Sequence, residues 1–209
     1  MVARRTFITL EGPDGAGKSS QLERLAARVG GELVVTREPG GTAVGEGIRE
    51  LLLRGASRDP LTDALLFNAA RRQLVAQVIR PALERGAVVI CDRFADSTLA
   101  YQGYGAGVPL DRLRALADLA TDRLTPDRTI LFDLTPEAGL RRRAEGAQSE
   151  VTRFESADEH DLAFHHRVRD GYLELAAAEP ERWRVLDADR PPDEVAASAW
   201  EALRDLLGG

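Results

Sequence analysis

Residues Gly12, Pro13, Asp14, Gly15, Ala16, Gly17, Lys18 and Ser19 stand in the order G-x-x-x-x-G-K-[ST], the spacing of a loop that cradles phosphate. Glycines let successive backbone N–H groups turn toward one anion, and a helix starting at the end of the loop adds partial positive charge. Lys18 can then span the terminal phosphates while Ser19 ligates magnesium. Ser20 completes the set expected around ATP. The chain carries 28 basic residues, and Lys18 is the only lysine among them. Arginine serves wherever a solvated cation suffices, which marks Lys18 as a place for a compact ammonium. Asn68 is equally unique of its type, so rarity alone decides nothing. Position does decide: the apolar run 6–10 precedes the loop, and Leu22, Leu25, Ala26 and Val29 follow it at i, i+3, i+4 and i+7. The loop therefore lies between a strand and a helix, the setting its chemistry needs.

Asp92 and Arg93 end the apolar run 87–91, so a strand delivers a carboxylate and a guanidinium to one sheet edge. Asp92 can hold magnesium or its waters, and Arg93 can grip a second phosphate bidentately. Phe67 and Arg71, four residues apart on a helical stretch, offer an aromatic plane and a planar donor fork on one face. A pyrimidine base fits that pair. A lone helical Phe is usually core, and it is the partnership with Arg71 and the Asp-Arg pair that moves Phe67 to a site. Pro39 and the glycines of 37–41 set a turn. His160, His165 and His166 lack a Cys or second acidic partner at metal-ligand spacing, so zinc is not expected and the three are placed exposed on a lid helix. Cys91, the single cysteine, cannot form an internal disulfide and is expected as a buried small hydrophobe.

The elements that must position these groups follow from periodicity. Strands are expected at 6–10, 32–36, 87–91, 128–132 and 182–186. Helices are expected near 17–29, 43–54, 60–85, 109–121, 135–145, 158–178 and 192–207, with Pro60, Pro109, Pro136 and Pro192 in first turns. Alternation of strand and helix predicts an α/β protein with a parallel sheet covered on both faces. The 209 residues form one expected domain, and the polar stretch 145–161 is its expected lid. Composition excludes other classes: 44% hydrophobic and 30% charged residues do not describe disorder, collagen or a bare coiled coil. A net charge of −6 has the wrong sign for coating nucleic acid or anionic lipid. The apolar runs are too short for a leader or a membrane span, which points to the cytoplasm. A guanine-reading N-K-x-D segment is missing, as is an L-S-G-G-Q-like transporter signature, and the size favours a phosphotransferase over a helicase or motor.

The set formed by the phosphate loop, Thr36-Arg-Glu-Pro-Gly-Gly-Thr42, Leu66-Phe-Asn-Ala-Ala-Arg71, Asp92-Arg-Phe94, Ser97-Thr98 and Tyr101-Gln-Gly103 resembles the thymidylate kinases across nearly the whole chain. The resemblance implies a P-loop NTPase fold with a doubly wound five-stranded parallel sheet, and transfer of the γ-phosphoryl of ATP to dTMP with Mg2+. It places Phe67 on thymine, Arg71 at the base edge, Ser97 and Thr98 near the base, and Tyr101 under the deoxyribose with Gln102 in the same wall. Glu38 and Pro39 lie against the acceptor, Arg49 and Arg93 reach its phosphate, and Asp14 meets its 3′-hydroxyl. With Asp14-Gly15-Ala16 inside the loop, the arginine that neutralises the γ-phosphate is implied on the lid. Arg142 or Arg143, with Arg153, is the expected source, since Arg141 to Arg143 fan about 100° apart and cannot all face ATP. Thr152 departs from the acidic residue that relatives often carry before Arg153. Asp187 and Ala188 are implied near adenine, and a homodimer is implied, for which the face carrying Leu65, Leu66, Ala69 and Leu74 is available. Two other functions stay open: a kinase for another nucleotide, and an ATP-binding regulatory subunit without turnover.

Overall fold

The computed structural model describes residues 5–54, 56–145 and 162–207. The expected lid 145–161, with His160, Thr152 and Arg153, lies outside the described residues except for Glu145, and the side chain of Arg143 lies outside them too. In chain order the elements are β1 (Thr6–Glu11), α1 (Lys18–Ala26), β2 (Leu33–Arg37), α2 (Ala43–Arg54), α3 (Pro60–Leu74), a π-helical turn (Val75–Ile79) and α4 (Arg80–Glu84). There follow β3 (Val88–Asp92), α5 (Ala95–Thr98) running into a second π-helical segment (Leu99–Gly105), α6 (Leu110–Thr121), β4 (Arg128–Asp133) and α7 (Pro136–Glu145). The chain ends with α8 (Leu162–Ala178), β5 (Trp183–Asp187), α9 (Pro192–Glu201) and α10 (Arg204–Leu207).

The strands form one sheet in the order β2-β3-β1-β4-β5, with every pairing parallel. Alternation along β1 sends Ile8 and Leu10 to the face covered by α1 and α9, where they meet Leu25, Val195 and Ala199. Phe7 points to the opposite face with Leu74, Ile79 and Phe94. Burial on both faces explains why these strands read as continuous apolar runs. After β1 the chain goes to the β2 edge, returns to β3 and then crosses to β4 and β5. The strand order therefore reverses around β1, and the crevice beyond its carboxyl end is where α/β sheets bind ligands. No helix among the described residues is long and apolar enough to cross a membrane.

All five expected strands are present, each ending one residue later than its apolar run. The added residues are Glu11, Arg37, Asp92, Asp133 and Asp187, which the ladder keeps extended through partners such as Leu10 with Asp92 and Asp133 with Asp187. Three helical expectations change. The stretch 60–85 is interrupted by the turn at Val75–Ile79, 192–207 divides into two helices, and 95–105, left unassigned by periodicity, is helical. In the segment Leu99–Gly105 every residue but Tyr104 is buried, so no apolar stripe exists to be read.

Candidate active site

The phosphate loop leaves β1 at Gly12, whose φ of +139° only glycine adopts comfortably; a Cβ there would sit 2.5 Å from the Phe132 carbonyl oxygen on β4. Gly15 is tighter still, since its Cβ would lie 2.4 Å from the Gly139 carbonyl oxygen in α7. The loop is thus wedged between β4 and the helix that leads into residues 145–161. Gly17 caps α1 in the left-handed conformation, and the first turn of α1 holds no acidic residue, so the helix's own side chains do not oppose an anion at that end. Ser19 and Ser20 are exposed on this turn. Lys18 folds back over the loop, its Nζ donating to the carbonyls of Gly12 at 3.0 Å and Pro13 at 2.9 Å. Burial, reinforced by the Arg93 cation, lowers its pKa to about 8. The ammonium is available to phosphate but weakly held by its own surroundings.

Beside the loop, β3 delivers Asp92 and Arg93. Asp92 Oδ1 is buried with no hydrogen-bond partner, which suits an oxygen meant for a cation. Arg93 has φ 66°, unusual for a non-glycine residue, and its amide donates to Leu10 O at 2.9 Å. The turn aims the guanidinium at the loop, where Nη2 donates to Asp14 Oδ1 and Tyr101 OH, and Nη1 donates to Ser97 Oγ and Tyr172 OH.

Between the loop and α3 lies a cavity of about 150 Å³ lined by Asp14, Glu38, Pro39, Arg49, Leu53, Phe67, Arg71, Arg93, Phe94, Ser97, Thr98, Tyr101 and Gln102. All eleven residues expected around the acceptor are among them; Leu53 and Phe94 are additions. Phe94 had no recognisable partner in sequence, yet its ring lies 5.4 Å below the Arg71 guanidinium carbon and packs edge-on against Phe7. Arg71 is 1% exposed and almost fully committed. Its Nε donates to Glu38 Oε2 at 2.9 Å, Nη1 to Asn68 Oδ1 at 2.9 Å, and Nη2 to Phe94 O and Thr98 Oγ1 at 3.0 Å each. Those bonds fix the plane of the fork and leave one Nη1 hydrogen for a ligand. Burial raises the Glu38 carboxyl to about 7 although Arg71 pulls it down, and Glu38 Oε1 is buried without a partner. The Glu38-Pro39 peptide bond is cis. Arg49 reaches across from α2, its Nη1 donating to Pro39 O at 3.1 Å.

Around the opposite side of the loop, Arg142 donates to Ala188 O at 2.8 Å and to Asp189 Oδ1 at 3.0 Å. Ala188, expected near adenine, and one expected lid arginine therefore meet. Asp187 Oδ1 accepts from the Asp189 amide, closing the turn after β5. His165 corrects an expectation: it is buried, its ring 5.4 Å from Phe164, because this face of α8 turns into the cluster with Val168 and Tyr172. His166 is exposed and bonds Glu137 at 2.9 Å. Cys91 is fully buried, and burial pushes its thiol pKa up. Among the described residues no group of three or more His, Cys, Asp or Glu is arranged to hold a metal ion by itself, so a cation here would lean on phosphate oxygens as well.

Two further residues of this region, outside the cavity lining, had no place in the sequence expectations. Glu11 ends β1 fully buried, and Tyr172 reaches it from α8, 161 residues away, with OH donating to Glu11 Oε2 at 3.0 Å. Glu11 was visible in principle, as a carboxylate ending an apolar strand in the manner of Asp92. Tyr172 carries no local pattern.

A five-stranded parallel sheet with a G-x-x-x-x-G-K-S loop at its reversal point, beside a cavity lined by Arg49, Arg71 and Arg93, defines a protein of the P-loop NTPase fold. A family model described as thymidylate kinase matches residues 10–199. Curated thymidylate kinases of Deinococcus radiodurans and Thermomicrobium roseum are 53% and 52% identical to it. The first alignment covers 95% of this chain and 96% of that relative, the second 96% and 95%. A crystal structure of thymidylate kinase from Ehrlichia chaffeensis superposes with a TM-score of 0.75 at 35% identity, over 95% of this chain and 98% of that one. The chain belongs to the thymidylate kinase family.

Proposed function

We propose that this chain is an ATP:dTMP phosphotransferase. The observation that carries the reading is a single cavity in which Phe67 and Arg71 present a plane and a donor fork while Arg93, at the same wall, borders the phosphate loop. Thymine stacks on Phe67, and its edge accepts the remaining Arg71 N–H. Asp14 and Tyr101 flank the sugar, Ser97, Thr98 and Gln102 close the base wall, and Glu38 and Pro39 close the other. The acceptor phosphate takes Arg49 in place of the Pro39 carbonyl and the Nη2 edge of Arg93 in place of Asp14 and Tyr101. Residues 12–20 hold the ATP phosphates, with adenine near Asp187 and Ala188.

An acceptor phosphate oxygen is already nucleophilic at neutral pH, so no general base is required. It forms a bond to the γ-phosphorus while the bond to the β-bridging oxygen breaks, giving dTDP and ADP. Positioning and charge neutralisation carry the rate. Lys18 leaves its loop carbonyls for the β- and γ-phosphates. Arg142 or Arg143, with Arg153, covers the charge on the transferred oxygens. Asp92, with its unpartnered buried Oδ1, and Ser19, on the first turn of α1, fit a magnesium ion held jointly with the phosphates. When bound, magnesium neutralises the triphosphate and orients it.

The whole chain acts as one kinase domain with residues 145–161 as its lid, and the protein works in the cytoplasm. It pairs as a homodimer through the outer face of α3, where Leu65 is 49% exposed and Ala69 is also exposed. Leu74 is fully buried in the core and does not belong to that face. Incubation with γ-labelled ATP, magnesium and dTMP tests the reaction: label must appear in dTDP, and label found only in inorganic phosphate overturns it.

A further inference from the structure

Glu11 is fully enclosed between the sheet, α5 and α8 and does not line the cavity. Its Oε1 accepts from the Phe94 amide at 2.8 Å, and its Oε2 accepts from Ser97 Oγ at 2.5 Å and Tyr172 OH at 3.0 Å. Both hydroxyls also receive an N–H from Arg93 Nη1, at 3.2 Å each. Each hydroxyl has one proton, and although the two oxygens lie 2.8 Å apart, the charged carboxylate is the stronger acceptor and takes both protons. An oxygen that accepts from Arg93 and donates to Glu11 has its proton direction set by the carboxylate. Glu11 thus turns two pairs of lone electrons toward Arg93 without touching it. On the far side of the guanidinium, Nη2 bonds Asp14 and Tyr101, both of which line the cavity, while of the Nη1 partners Ser97 borders it and Tyr172 does not. One edge of Arg93 is anchored in the protein, and the other faces the place of the acceptor.

We propose that Glu11 is a positioning residue for Arg93, acting through the hydroxyls of Ser97 and Tyr172, and that it thereby sets the preference for a phosphorylated acceptor over the bare nucleoside. The inference rests on the assignment of Arg93 to the acceptor phosphate. An arginine loses much rotamer freedom when it binds, and anchoring one edge removes that freedom before the ligand arrives. The same anchoring explains why the left-handed backbone at Arg93 is tolerated: the surroundings over-determine it.

The electrostatic setting makes the carboxylate sensitive. Burial and the Asp96 carboxylate raise the Glu11 pKa to about 7, against the pull of Ser97, Arg93 and the Phe94 amide. Asp96 on α5 is itself held by Arg182. From the loop and α1, Asp14 and Lys18 face the same region, as do Asp92 at the end of β3 and the phenols of Tyr101 and Tyr172. A proton on Glu11 turns one hydroxyl from donor to acceptor on that side and removes the charge that orients both toward Arg93.

The test is calorimetric binding of dTMP and of thymidine to the full chain, wild type against Glu11→Gln and Tyr172→Phe. Loss of a charge-assisted anchor should weaken dTMP about tenfold in Glu11→Gln while thymidine changes less than about twofold. Tyr172→Phe removes one of two relays and should weaken dTMP about threefold with the same selectivity. A merely structural role would weaken both ligands together, and either that result or an unchanged dTMP-to-thymidine ratio overturns the proposal. If Glu11→Gln does not fold, Tyr172→Phe decides by the same ratio. Between pH 6 and 8 the ratio should rise more steeply in the wild type than in Glu11→Gln; the phosphate of dTMP titrates identically in both, and equal slopes count against the relay. Wild-type protein that binds thymidine as tightly as dTMP removes the Arg93 assignment itself, a failure distinguishable from the first because it needs no variant.

Discussion

Arg71→Met should destabilise the protein severely, and by an amount that depends on pH. Arg71 and Glu38 have side chains 1% and 3% exposed, so methionine leaves a buried carboxyl, an amide, a hydroxyl and a carbonyl without their donor. Removing one partner of a buried pair costs about 3–5 kcal/mol. At roughly 2–4 °C per kcal/mol for a chain of this length, the unfolding midpoint falls by about 10 °C. The pH dependence follows from Glu38. Its folded pKa is raised from 4.5 to about 7, so its contribution to stability is fullest below 4.5 and is lost as pH climbs through 7. Above 7 the wild-type loss stops, because Glu38 ionises beside Arg71. In the variant the carboxyl stays neutral and the loss continues. The gap between the two proteins should therefore be about 1 kcal/mol wider at pH 8 than at pH 6. Chemical unfolding followed by circular dichroism at the two pH values measures it, and in a Glu38→Gln background the cost of Arg71→Met should be independent of pH. A gap below about 1 kcal/mol at pH 8 would refute the reasoning, since Arg71 would then not be holding this wall together.

Other expectations are more local. Phe67→Ala should raise the KM for dTMP about 10- to 100-fold and leave that for ATP unchanged, as loss of one base-stacking plane requires; steady-state kinetics with each substrate varied would show it. Gly15→Ala places a Cβ 2.4 Å from the Gly139 carbonyl oxygen at φ +80°, and the displaced loop should lower kcat about a hundredfold, a result contradicted by near-normal turnover. Because burial holds the Lys18 pKa near 8, the ammonium is lost above that pH. Hence kcat/KM for ATP, which reports the free enzyme, should fall on the alkaline side of pH 8, and a flat profile to pH 9.5 would count against it.

The parallel sheet was legible because the central strands β1, β3 and β4 are buried on both faces while the helices are buried on one, so the two periodicities separate cleanly. What the pattern missed was polar at the places that matter. A run of apolar residues cannot announce that Glu11, Asp92 or Asp133 continues the strand, since their backbone pairing comes from neighbours distant in sequence. The segment 95–105 lacked a stripe because nearly all of it is enclosed, and its small residues serve close packing: a Cβ on Gly105 would meet Phe164 at 2.7 Å. The cavity residues were recoverable from local spacing, as with Phe67 and Arg71, and from the short motifs around Glu38, Arg93 and Tyr101. Residues that act through others were not, because Glu11 and Tyr172 acquire meaning only once α8 brings the Tyr172 hydroxyl to the end of β1. Histidine chemistry misled in the same way: His165 looked exposed by composition and is enclosed by the tertiary contacts of α8.

ADP release by the purified protein with magnesium-ATP, measured against dTMP, dUMP, UMP, CMP and thymidine with Lys18→Ala as the blank, bears most directly on the central claim. The site described here predicts the highest kcat/KM with dTMP and no release above background in the variant. A higher value for UMP or CMP would contradict the assignment of the cavity to thymine, and ATP binding without turnover of any acceptor would contradict the kinase itself.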